Sequence, residues 1–207
     1  MQQLMTGARP LPDIKYDWRE CTLGDLFANR QERGRRGLPL MSVTMNDGLV
    51  ERVTLDRKTD SELTPEQHLL IRKDDIAYNM MRMWQGACGL AHHDGIVSPA
   101  YIVVAPNHHV DPLFASYWFK SSRMLYLLWA YSYGLTGDRL RLYYKDFARI
   151  PVSVPSRDAQ EAIAHILKGC DDEIALLKRQ LEALKAQKKG LMQKLLTGQI
   201  RVTSKGA

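Results

Sequence analysis

Cysteine is scarce in this chain and poorly placed for chemistry. Its three copies, Cys21, Cys88 and Cys170, are widely spaced and form no C-x-x-C pair. An odd number at such spacing excludes a disulfide framework and a thiolate metal knuckle, and points to a reducing cytoplasm. Long hydrophobic runs are absent as well. No stretch of 18 apolar residues occurs and the N-terminus has no apolar signal core, so neither a membrane span nor export is expected.

Catalytic signatures are equally thin. There is no phosphate-cradling G-x-x-x-x-G-K-[ST] and no glycine-rich cofactor loop. The Asn/Asp-Pro-Pro-aromatic motif that adenine methylation would need is missing too. Arg72-Lys73-Asp74-Asp75 is the nearest approach to a nuclease cluster and reads better as a turn. His92-His93-Asp94 and His108-His109 lack a third ligand at metal-binding spacing. Ser98 precedes Pro99 with no nucleophile-elbow spacing around it. No cofactor, no metal and no catalysis by the isolated chain are expected.

What the chain does have is a long apolar seam. Ile163, Leu167, Cys170, Ile174, Leu177, Leu181, Leu184, Leu191 and Leu195 follow one another in steps of four and three, with Lys188 at the skipped position. That is the a/d repeat of a coiled coil. Pro155-Ser156 supplies a start, with Ser156 as N-cap, and Gly198 a stop. The helix from Ser156 to Leu196 would be about 60 Å long at ~1.5 Å per residue. Asp158, Glu161, Asp171, Asp172 and Glu173 gather early and Lys185, Lys188, Lys189 and Lys194 late, which suits the helix dipole. Lys188 at an a position reads as a register device, or as a lysine snorkelling near a frayed end. No second segment repeats the pattern, so the seam's partner is expected on another molecule, in an antiparallel homodimer.

The remainder reads as one α+β domain. Charged residues at 25% and hydrophobic ones at 45% are ordinary for a folded domain, and the net charge of +6 fits a polyanionic partner. Residues 1–12 read as a loose arm. Trp18 to Phe27 reads as a short strand and a helical turn near Thr22. Leu38 to Thr44 is strand-like, and Asn46-Asp47-Gly48 signals a hairpin into Leu49 to Leu55. Leu69 to Tyr78 alternates apolar runs with a charged turn, Met80 to Gly89 is an amphiphilic loop, and Gly95 to Ala105 is a turn and a buried strand. Pro112 to Trp129 has helical spacing with Leu113, Trp118, Met124, Leu127 and Leu128 as core. Gly134 to Arg141 is a glycine-punctuated basic loop, and Ile150 to Val154 a final strand. The expected division is a domain at 1–155, a helix at 156–198 and a tail at 199–207.

Several of these stretches, in this order, resemble the specificity subunit of type I restriction–modification systems. The resemblance is carried by Trp18 with Leu23-Gly24-Asp25, by Met41-Ser42-Val43, by Asp75-Ile76-Ala77-Tyr78-Asn79 and by Gly95-Ile96-Val97-Ser98-Pro99-Ala100-Tyr101. Arg139 with Arg141, then Asp146-Phe147-Ala148-Arg149-Ile150-Pro151-Val152, and the helix ending Leu195-Leu196-Thr197-Gly198 complete it. The family's usual chain has two target-recognition domains and two long helices; this chain has one of each and looks like a half-size form or a fragment.

The resemblance implies a domain that reads double-stranded DNA and modifies nothing, with methyltransferase and restriction/translocase subunits as partners. Groove readout needs fork-like donors, and phosphate clamping needs Lys and Arg. One loop offers Arg30, Gln31, Arg33, Arg35 and Arg36; a second offers Asn79, Arg82, Trp84 and Gln85; a third offers Thr136, Arg139 and Arg141. The plain readings are a solvated basic loop, a core tryptophan and an ordinary glycine turn. Tyr143 and Tyr144 adjoin the third loop and are expected in a strand, one inward and one outward. An oligomerisation adaptor whose domain binds protein and a stand-alone DNA-modifying enzyme are the alternatives.

Overall fold

The computed structural model describes residues 2–5, 7, 8, 11, 12, 14–54, 63–136 and 139–201. Packing separates residues 1–164 from residues 165–207. The division falls inside the long helix, past the expected boundary at Pro155, because Ala159, Gln160, Ile163 and Ala164 are buried in the first unit.

The first unit is held shut where its two ends meet. Strand β1 (Arg19–Thr22) pairs antiparallel with β10 (Pro151–Val154). Thr22 then caps α2 (Leu23–Leu26): its hydroxyl accepts from the Asp25 N–H, and the Asp25 carboxylate accepts from the Thr22 N–H at 2.8 Å. That reciprocal pair is a capping box. The Leu23 and Gly24 N–H groups donate to the Ile150 and Ala148 carbonyls. A Cβ on Gly24 would stand 2.9 Å from the Ala148 oxygen, so the Leu-Gly-Asp turn and the Ile-Pro-Val strand fit only with glycine there.

Two four-stranded sheets form the body. One has the order β2 (Phe27–Asn29), β9 (Tyr101–Pro106), β6 (Ile76–Asn79), β7 (Cys88–Leu90), all antiparallel. The other has the order β4 (Leu49–Glu51), β3 (Leu40–Val43), β8 (Gly95–Val97), β5 (Leu69–Ile71), with β3 and β8 parallel. Gly48, at φ +71°, closes the β3–β4 hairpin that Asn46-Asp47-Gly48 signals. Met41, Leu49, Ile71, Ala77, Ala91, Val97 and Val103 form a buried cluster drawn from both sheets. Each large side chain fully buried in this way stabilises the fold by roughly 1.5–3 kcal/mol. A second cluster is aromatic: Tyr78, Phe27 and Phe119 gather around Phe147 at ring separations of 5.5 to 6.0 Å.

The details differ from the sequence-based expectation in places. The Gly95 to Ala105 run makes two strands, β8 and β9, which lie in different sheets and are joined by a turn in which Tyr101 N–H donates to the Ser98 carbonyl. The Pro112 to Trp129 segment is two helices, α3 (Pro112–Trp118) and α4 (Ser122–Ala130), because Ser121 starts the second as its N-cap. Tyr143 and Tyr144 are not in a strand; Tyr144 opens α5 (Tyr144–Phe147) and its hydroxyl donates to the Phe27 carbonyl at 2.8 Å. Met5, in the short helix α1 (Gln2–Met5), is buried where a loose arm was expected. Leu55 and residues 202–207 lie outside the described residues.

Helix α6 (Arg157–Leu196) begins inside the domain. Gln160 is fully buried, with its amide oxygen accepting from the Asp111 N–H and its amide nitrogen donating to the His109 and Pro155 carbonyls. Ser156 precedes the helix, its carbonyl accepting from the Gln160 N–H while its hydroxyl donates to the Lys15 carbonyl. In the second unit the seam residues Ile174, Leu177, Leu181, Leu184, Leu191 and Leu195 are exposed. Ile163, expected on the seam, is 0% exposed and packed in the domain. The seam open to a partner therefore starts at Leu167. Gly198 ends the helix with its N–H donating to the Leu195 carbonyl. Among the described residues, no helix is long and apolar enough to cross a membrane.

Candidate nucleic-acid interface

The three loops that carry the candidate readers do not share one site. The second and third meet, and the first stands at the other end of β6. The Leu142 N–H donates to the Met80 carbonyl at 2.8 Å, which ties the loop after β6 to the strand arm that follows the glycine loop. In that glycine loop Tyr133 and Arg141 exchange two backbone hydrogen bonds, at 3.0 and 2.8 Å. A Cβ on Gly134 would lie 2.4 Å from the Arg139 carbonyl oxygen, so only glycine lets the two arms come this close. The neck is fixed, and Leu135 and Thr136 stand exposed beyond it.

The loop after β6 is built by its own polar groups. The Asn79 amide oxygen accepts from the Met81 N–H at 3.0 Å, and the Trp84 indole N–H donates to the Met81 carbonyl at 3.1 Å. Asn79 and Trp84 thus shape the turn that presents Met81 and Arg82, while Gln85 is exposed beside them. Between the two loops lies an open groove of about 670 Å³ lined by Met81, Tyr133, Leu135, Arg139, Arg141 and Tyr143. No carboxylate lines it among the described residues. Arg82 and Arg139 have no side-chain partner among the described residues, and Arg141 makes only a 3.4 Å contact to the Tyr143 hydroxyl. Guanidinium groups that have no carboxylate partner among the described residues, beside exposed tyrosines, can bind phosphate, donate in a fork to a base edge or stack on a base.

The first loop divides into parts. Arg30 is not a free reader: its Nε and Nη2 donate to the Asp75 carboxylate at 2.6 and 3.1 Å, and its Nη1 donates to Glu32 at 2.6 Å. Its side chain is 18% exposed and that of Asp75 only 3%, so the pair is structural. The hydrogen bond to Asp75, above all, raises the Arg30 pKa. Gln31, Arg33, Arg35 and Arg36 are all exposed, and Glu32 between them is half-buried. Arg36 pairs with Glu66 at 3.0 Å and Arg72 with Glu32 at 2.7 Å, exposed pairs that hold their arginines weakly. Arg35, Arg36 and Arg72 line an open hollow of about 380 Å³ together with Leu38, Leu70 and one carboxylate, Asp94. Asp75 begins the approach to β6 and Asn79 ends it, four residues or about 13 Å on at ~3.3 Å per residue. A ligand touching both basic regions must be longer than that.

The acidic and histidine motifs fall into turns. Arg72 to Asp75 is a β-turn with Asp74 at φ +71° and Asp75 N–H donating to the Arg72 carbonyl. His93 lies 3.4 Å from Glu51, and the Asp94 carboxylate accepts from the Lys73 N–H. Among the described residues no three His, Cys, Asp or Glu side chains come together as a metal site.

Comparison with known proteins agrees with this architecture. Residues 16–186 match the family model described as type I restriction modification DNA specificity domain. A 58-residue stretch is 41% identical to a protein of Methanocaldococcus jannaschii named for the MjaX type I restriction enzyme specificity subunit, covering 28% of this chain and 14% of that protein. The HsdS subunit of Thermoanaerobacter tengcongensis shares the fold at a TM-score of 0.54 and 16% identity, over 93% of this chain and 49% of that one. The S subunit of an M. genitalium type I restriction–modification system does so at 0.56 and 18% identity, over 89% and 47%. A chain from a type I R-M system, solved for its complex assembly and conformational transition, aligns at 0.54 and 15%, over 91% and 48%. The chain spans about half the length of these solved structures.

Proposed function

Since the chain belongs to the family of type I restriction modification DNA specificity domains, we propose that its domain binds duplex DNA and directs a type I restriction–modification complex to its target. One observation carries this reading: the groove between the two joined loops presents Arg139 and Arg141, with Arg82 on the adjoining turn, and no internal carboxylate partner among the described residues. Arg139, Arg141, Arg82 and Gln85 serve as base readers or phosphate clamps there. Arg33, Arg35 and Arg36 serve as a second, backbone-facing patch. The chain supplies no chemistry; modification subunits methylate and the restriction/translocase subunit cleaves.

The seam from Leu167 to Leu195 joins two copies, with Cys170 and Lys188 on the same stripe. Two identical domains related by a two-fold axis read the same half-site in inverted orientation. The target is then an interrupted palindrome whose unread spacer depends on helix length.

Salt-dependent duplex binding by the full chain tests the reading. Each phosphate neutralised adds about −0.9 to the slope of log affinity against log salt. A steep slope that becomes shallower when Arg35 and Arg36 are replaced by alanine supports it. Affinity that is indifferent to salt, or absent at low salt, overturns it.

A further inference from the structure

We infer that the groove between the two joined loops reads the 5-methyl group of thymine, with Leu135 and Met81 as the contacting side chains; this rests on the DNA-binding reading above. The groove is unusual for a basic surface because so much of its lining is apolar. Leu135 is 100% exposed and stands beyond a neck pinned by two backbone hydrogen bonds and by Gly134. Met81 is 48% exposed on the facing loop, and Tyr133 is 62% exposed. A leucine this exposed buries no surface in the domain, so its apolar surface is available to a partner.

The partner's chemistry is constrained from two sides. The cations Arg139 and Arg141 line the same groove as Leu135 and Met81, with no carboxylate among the described lining residues. A protein or lipid surface of purely apolar character would leave those guanidinium groups desolvated and unpaired, which is costly. Duplex DNA satisfies both needs: phosphates and guanine edges take the arginines, and the one apolar protrusion on a base edge is the thymine methyl in the major groove. The thioether of Met81 and the isobutyl group of Leu135 are soft, movable apolar ends that can close on one methyl.

The target sequence need not be known for the test. The full chain is used to select from randomised duplexes made with thymidine, and the recovered half-site is remade with deoxyuridine, which pairs identically but lacks the methyl. Loss of one buried methyl is expected to weaken binding about fourfold, from ~0.8 kcal/mol per buried carbon. Leu135→Ala should bind both duplexes with the affinity the unchanged chain shows for the deoxyuridine form. Leu135→Met should retain the discrimination. Full exposure of Leu135 means that neither variant removes a folding contact. Equal binding of the two duplexes overturns the inference, as does a half-site made only of G·C pairs. Discrimination that survives both Leu135→Ala and Met81→Ala overturns it as well, because the methyl is then read elsewhere. If no duplex is retained even at low salt, the DNA-binding reading falls, and this one with it.

Discussion

Arg30 and Asp75 meet twice, Nε to one carboxylate oxygen at 2.6 Å and Nη2 to the other at 3.1 Å. The bidentate pair ties the segment after β2 to the start of β6, the strand whose far end carries one of the two groove loops. Asp75 also accepts the Arg72 N–H at 2.8 Å, so one buried carboxylate closes a turn and anchors a strand.

Removing the guanidinium leaves that buried carboxylate, among the described residues, with no cationic partner and only the Arg72 N–H bonded to it. Arg30→Ala is expected to destabilise the domain by about 3 kcal/mol, the lower end for breaking a buried pair because Arg30 is partly solvated. Urea unfolding followed by far-ultraviolet circular dichroism measures it. The unfolded fraction aside, DNA affinity should be unchanged.

The groove arginines behave in the opposite way. Arg82→Ala and Arg139→Ala should leave the stability within about 0.5 kcal/mol of the unaltered chain, as for surface substitutions generally. Each should cost about 1–3 kcal/mol of binding to the preferred duplex if bidentate to a base, and relax preference at one position. Replacing Arg33 and Arg35 should weaken all duplexes alike. Competition binding against single-position variants separates the two patterns.

Self-association should depend on the exposed seam. Leu177→Asp with Leu184→Asp is expected to give a light-scattering mass of one chain at tens of micromolar, where the unaltered protein gives two. A single-chain mass for both proteins would remove the homodimer. Deleting one heptad should change the spacer of the recognised palindrome and leave the half-site intact.

The cysteines offer a chemical check on packing. Complete burial pushes the Cys88 thiol up to about 11, against a smaller lowering by Lys120, while Cys170 is exposed. At pH 8 a water-soluble thiol reagent should label Cys170 in the native protein and reach Cys88 only on unfolding, since the thiolate is the reactive form. If the seam closes on a second copy, Cys170 labelling slows as protein concentration rises. Mass spectrometry of the labelled peptides reads both effects.

Tyr78 carries a buried hydroxyl with no hydrogen-bond partner among the described residues. Burial, with the nearby Tyr144 and Asp146, holds its pKa well above the usual phenol range, so it stays neutral. Tyr78→Phe keeps the ring stacked 5.5 Å from Phe147 and removes the unpaired dipole. Stability should rise by about 1–2 kcal/mol, as relief of an unsatisfied buried polar group predicts. A lower melting temperature for this variant would mean that the hydroxyl is bonded in solution.

Much of this fold was legible because local chemistry and global packing agree. A helical turn starting near Thr22 and a hairpin at Asn46-Asp47-Gly48 are both read from the sequence and both form; the Thr22–Asp25 capping box that starts the turn is seen only in the structure. The long helix was legible from its period, since nothing else in the chain repeats every seven residues. The site was only half legible. That Asn79 to Gln85 and Gly134 to Arg141 would touch depends on one backbone bond, Leu142 to Met80, between segments more than fifty positions apart, and no local pattern announces it. Arg30 looked like its neighbours Arg33 and Arg35 because spacing cannot tell a paired arginine from a free one; the deciding partner, Asp75, is 45 positions away. Ile163 fits the heptad and is still buried in the domain, since one apolar stripe can serve two neighbours in turn. Leu135 and Met81 went unnoticed as site residues. A leucine set between a glycine turn and two arginines was the available signal.

Arg82 and Arg139 have no side-chain partner among the described residues, and this has a consequence for heredity. Folding does not inspect these positions, so exchanges there escape the purge that removes destabilising changes at Arg30 or Gly134. Lineages carrying this scaffold can therefore drift in what they bind, one codon at a time, without passing through an unfolded ancestor.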